Sequence, residues 1–82
     1  MNMIYNSSNF CVVEFRGDSA AFDGGFEIVD KLGRREIFIE GALAHRFRLN
    51  VRALIAGDTS IEEVDDFLRS FEGIMQQPLV LH

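Results

Sequence analysis

Few residues in this chain are able to do chemistry, and they are scattered. His45 and His82 are the only imidazoles and Cys11 is the only thiol. Nucleophilic catalysis needs a nucleophile, a base and an orienting group within reach of one another. Ser7, Ser8, Ser19, Ser60 and Ser70 fall in turn or helix positions with no histidine near them in sequence. Cys11 sits inside the apolar run Phe10–Phe15, where a thiol is expected to be a small buried hydrophobe and not an activated nucleophile. A structural zinc site needs four ligands, and no HxxxH or HxxE pair accompanies the single cysteine. His45 falls on the charged side of a predicted helix, and His82 offers only an adventitious metal contact.

Three other patterns carry bland readings. Arg16-Gly17-Asp18 spells the tripeptide read by adhesion receptors, but a Gly-Asp turn accounts for it. Gly24-Gly25 is not a phosphate loop, because no Lys, Ser or Thr follows at the required spacing. The acidic pairs Glu62-Glu63 and Asp65-Asp66 resemble an acid/base resource. They are read instead as a solvated face that complements the positive end of a helix dipole. The expectation is therefore no catalytic residue, no metal site and no cofactor, in a chain that is not an enzyme.

Charge distribution is more informative. The formal net charge is −5, which argues against nucleic acid by default. The split is uneven. Residues 42–56 carry Arg46, Arg48 and Arg52 with no acid, whereas residues 57–82 carry six acids and Arg69 alone. Arg34 and Arg35 form a second basic spot. The favoured reading is that the basic and acidic helices pair, within or across chains. The functional reading is a partner-binding strip of Arg34, Arg35, Arg48 and Arg52 for an acidic protein or, more weakly, RNA or DNA. Seven Arg to one Lys suits bidentate contacts to carboxylate or phosphate, but no aromatic residues are interleaved for base stacking.

The elements that must position these residues follow from period and punctuation. Phe10–Phe15, Phe26–Asp30 and Glu36–Glu40 are β-branched and aromatic runs and read as strands. Asn6–Asn9 reads as a turn and Arg16–Gly25 as a loop. Lys31–Arg35 joins the second and third strands as a bulged hairpin with Gly33 in the left-handed position. A helix over 42–56 presents Leu43, Phe47, Val51, Leu54 and Ile55 on one stripe, with Gly57 as its C′ residue and Leu49 off the stripe. A second helix begins at a capping box, Thr59/Glu62 or Ser60/Glu63. It carries Ile61, Val64, Phe67, Leu68, Phe71, Ile74 and Met75, and Pro78 ends it. The apolar tail Leu79–His82 has room to add a strand.

The predicted fold is α+β. A three- to four-stranded, mostly antiparallel sheet, β-β-β-α-α with that additional C-terminal strand, carries two helices packed on one face. Residues 1–82 form a single domain, whose size limits the core it can bury. Eight Phe, no Trp and one Tyr place most rings in that core. The strands carry more apolar residues than one covered face needs, so a second copy of the chain is expected to cover the other face as a homodimer. One cysteine, no basic leader and no long apolar run predict a cytoplasmic protein away from membranes.

Four segments carry a resemblance. Met1–Ser7, Phe26–Lys31, Arg35–Gly41 and Gln77–His82 are similar to a family of short beta-proteobacterial proteins of unknown function. The likeness covers nearly the whole chain. It implies a stand-alone cytosolic bacterial protein and supplies no activity or site residue. The residues themselves point to a non-enzymatic interaction or regulatory module, with an RNA- or DNA-associated accessory protein as the alternative.

Overall fold

The computed structural model describes residues 1–19, 22–74 and 77–78. Strands β1 (Asn2–Asn6), β2 (Phe10–Ser19), β3 (Phe22–Asp30) and β4 (Arg35–Glu40) form an antiparallel meander. A two-residue strand β5 (Gln77–Pro78) pairs with Arg35 and Glu36 of β4, so the sheet order is β1-β2-β3-β4-β5. Helices α1 (Gly41–Ala56) and α2 (Ile61–Arg69) follow β4, and a 3₁₀ turn spans Glu72–Ile74.

Alternation along each strand sorts the sheet into two faces. Phe10 lies opposite Asp30, Val12 opposite Ile28 and Glu14 opposite Phe26, and Phe26 in turn lies opposite Ile39. Phe10, Val12, Phe26, Ile28 and Ile39 of this face are buried against Ala44, Phe47 and Val51 of α1 and Val64 and Leu68 of α2. Both helices therefore cover one face, as predicted.

The N-terminal strand was not expected. Met3 pairs with Val13 and Tyr5 with Val12, with a bulge between them. The predicted loop Arg16–Gly25 is also largely strand. Gly-Asp content read as loop chemistry, but Phe15 pairs with Gly25 and Arg16 with Gly24. Gly24 has φ 97°, and a Cβ there would lie 2.8 Å from the Phe15 carbonyl oxygen, so glycine is what lets the two strands approach.

The hairpin between β3 and β4 is present, but its left-handed residue is Arg34 (φ 54°), not Gly33. Gly33 serves a different purpose. Its N–H donates to Asp30 Oδ1 at 2.9 Å, and Asp30 is buried. A Cβ on Gly33 would fall within van der Waals overlap of Asp30 Oδ2. Gly33→Ala is therefore expected to cost about 1 kcal/mol, and markedly less in an Asp30→Ala background. Chemical denaturation of this double-mutant cycle checks the coupling, and additivity would remove the explanation.

Helix α2 is capped by Ser60, whose Oγ accepts from Glu63 N–H at 3.2 Å, so of the two candidate caps Ser60 is the one used. It ends at Arg69, short of the predicted stop at Pro78, with Ser70 Oγ donating to the Phe67 carbonyl. Ile74 therefore falls beyond the helix, in the 3₁₀ turn, and Met75 lies outside the described residues. At the end of α1, Gly57 N–H donates to Ala53 O at 3.1 Å, with extended and not left-handed backbone (φ −84°). The predicted α1 stripe is displaced. Ala44, Phe47 and Val51 are buried and Leu54 is partly so, whereas Leu43, Leu49 and Ile55 are exposed, and Ile61 of α2 is exposed as well. The predicted strand Leu79–His82 lies outside the described residues.

Candidate functional site

The arginine strip divides between two clefts. Arg48 and Arg52, one helical turn apart on α1, line a cleft of about 540 Å³ with Ile4, Glu14, Phe26, Val51, Ile55 and Ala56. Arg48 Nε donates to Glu14 Oε2 at 3.3 Å, and its guanidinium lies 5.1 Å from the Phe26 ring centroid. Arg35 lines a different cavity of about 350 Å³, together with Asp30, Arg69 and Glu72, and its Nη2 lies 3.8 Å from Asp30 Oδ2. Arg34 is exposed at the hairpin tip. Glu14 went unnoticed in sequence, although its phase with Phe10 and Val12 placed a carboxylate on the core face, where a cation must meet it. Among the described residues no ion pair joins α1 to α2. Arg48 pairs with β2, and Arg69 pairs with Asp66 of its own helix at 2.6 Å. The expected pairing of the two helices is thus not made within the chain there.

Asp65 departs most from expectation. It is 3% exposed, not part of a solvated acidic face. Tyr5 Oη and Ser7 Oγ each donate to its Oδ1 at 2.8 Å, and Asn9 Nδ2 donates to its Oδ2 at 2.9 Å. Burial would raise its pKa, but the hydrogen bonds from Asn9, Tyr5 and Ser7 and the charge of Arg69 outweigh burial and hold it below the ordinary aspartate value. Ser7 Oγ also accepts from Asn9 N–H and Phe10 N–H at 3.2 and 3.0 Å. Lys31 Nζ donates to the Ser7 carbonyl at 2.6 Å. One carboxylate thus ties the β1–β2 turn to α2.

The opposite sheet face has no described element across it. By register it presents Met3, Cys11, Val13, Phe15, Glu27, Val29, Glu36 and Phe38. Phe15 and Phe38 meet edge to face at 5.6 Å. Met3 is 56% and Phe38 44% exposed, and Val13, Phe15 and Val29 are half-buried.

A family model described as a protein of unknown function, DUF3567, matches residues 1–82. The chain belongs to this family. A relative from Burkholderia thailandensis, called Protein BTH_I0359, is 56% identical over 85 residues, covering all of both chains. No solved structure matches. The resemblance to a beta-proteobacterial family of unknown function is thereby established.

For this DUF3567 member the candidate chemical groups stand as follows. Cys11 is buried, and its thiol pKa is raised by burial and by Glu27, against a smaller lowering by Lys31. The thiol therefore stays protonated at neutral pH. His45 is exposed on α1. Among the described residues no group of three His, Cys, Asp or Glu is placed to hold a metal ion, and no helix is long and apolar enough to cross a membrane.

Proposed function

We propose that this protein is a non-enzymatic, cytoplasmic protein–protein interaction or regulatory module that acts as a homodimer through the sheet face that no described element covers. The observation that carries the reading is Phe38 and Met3, exposed beside half-buried Val13, Phe15 and Val29, while both helices lie on the other face. Clustered apolar side chains of this kind mark interaction surfaces. Glu27 and Glu36 lie within the patch, and carboxylates are depleted at interface cores, so the reading rests on the apolar side chains. The nucleic-acid alternative has weaker support, because Arg48 is held by Glu14 and Phe26 while Arg35 lines a separate cavity.

Size-exclusion chromatography with light scattering is the test. At tens of micromolar the chain is expected to run at twice 9.3 kDa, and Phe38→Glu is expected to return it to the monomer with its circular dichroism unchanged. A monomer at every concentration would overturn the dimer.

A further inference from the structure

The cleft between β1, β2 and α1 lies on the helix-bearing face, opposite the surface invoked above. Its volume of about 540 Å³ falls within the roughly 300–1,000 Å³ of small-molecule sites. Ile4, Val51, Ile55 and Ala56 make its walls apolar, and Ile55 is 47% exposed. Three charged groups line it. Arg48 and Arg52 against Glu14 leave one net positive charge, in a chain whose formal net charge is −5. Glu14 is offset by Arg48, so the uncompensated cation is Arg52, which is exposed and makes no ion pair among the described residues. Among the described residues Phe26 is the single ring in the lining. It is 1% exposed and lies against the Arg48 guanidinium, so no open aromatic face is offered to a base or sugar.

An apolar cleft with one available guanidinium and no stacking surface matches one ligand chemistry. We propose that it binds a small aliphatic carboxylate of the fatty-acid class. The hydrocarbon chain lies along Ile4, Val51 and Ile55, and the carboxylate meets Arg52. A guanidinium pairs with a carboxylate through two parallel hydrogen bonds, which fixes the headgroup at the cleft mouth. The chain contributes by leaving water.

Titration of decanoate, below its micellar concentration, into the labelled protein tests this by amide chemical shifts. Saturable shifts are expected at Ile4, Val51, Ile55 and Ala56. Decanol is expected to bind at least about tenfold more weakly, and Arg52→Gln to weaken decanoate about tenfold, close to 1.4 kcal/mol, without changing decanol. Arg52 is exposed, so the variant keeps the fold, which circular dichroism verifies. Absence of saturable shifts, shifts centred on Val13 and Phe38, equal binding of decanol, or undiminished binding by Arg52→Gln would each overturn the proposal. Dimerisation is read independently by light scattering.

Discussion

Replacing Asp65 with alanine is expected to lower the unfolding free energy by about 3 kcal/mol, because three half-buried donors lose a shared charged acceptor. For a chain of this length that is a large share of a total of roughly 4–12 kcal/mol, and it corresponds to a melting temperature lower by roughly 12–24 °C. Tyr5→Phe removes a single donor and is expected to cost about 1 kcal/mol. Equal losses for the two variants would contradict the central role of the carboxylate.

The same residue sets a pH dependence. Its folded-state pKa is depressed, so its stabilising contribution is complete above the unfolded value of 3.8 and falls away as pH drops below it. Tyr5 mirrors this at high pH. Burial and the hydrogen bond to Asp65 raise its pKa, so its contribution is complete below 10.0 and fades as pH rises beyond that. Urea midpoints between pH 6 and pH 3 should therefore fall more steeply for the natural chain than for Asp65→Asn. Parallel curves would remove the assignment.

Phe47→Ala is expected to be the other severe change, at about 3–5 kcal/mol. Phe47 is fully buried at the centre of the aromatic packing, with centroids 5.0 Å from Phe26, 5.4 Å from Phe71 and 5.9 Å from Phe67. Removing it leaves a void between the sheet and both helices that neighbouring rings fill only in part. Phe47→Leu keeps most of the volume and is expected to cost roughly 1 kcal/mol. Thermal unfolding of the two variants separates a cavity effect from loss of ring-specific contacts, since comparable losses would point to the rings.

The arrangement of strands and helices was legible where local pattern and tertiary environment agree. Phe10–Phe15, Phe26–Asp30 and Glu36–Glu40 lie within β2, β3 and β4, and Ser60 caps the start of α2. It was illegible where a residue's partner is distant in sequence. Asp65 looks like any acid in a helix's first turns, because Tyr5, Ser7 and Asn9 are more than fifty positions away. Gly33 looked like a left-handed residue because the close approach of Asp30 is not written in local spacing.

The candidate sites divide in the same way. The scarcity of nucleophiles and metal ligands, the uneven charge and the excess of apolar strand residues follow from residue types alone. Placing Arg48 and Arg52 with Glu14 in one cleft, and Arg35 in another, required the packing of α1 on the sheet. Composition and period determine which side chains each element offers to a face. Only the folded chain decides which of them meet, because burial and charge compensation depend on partners brought together from distant positions.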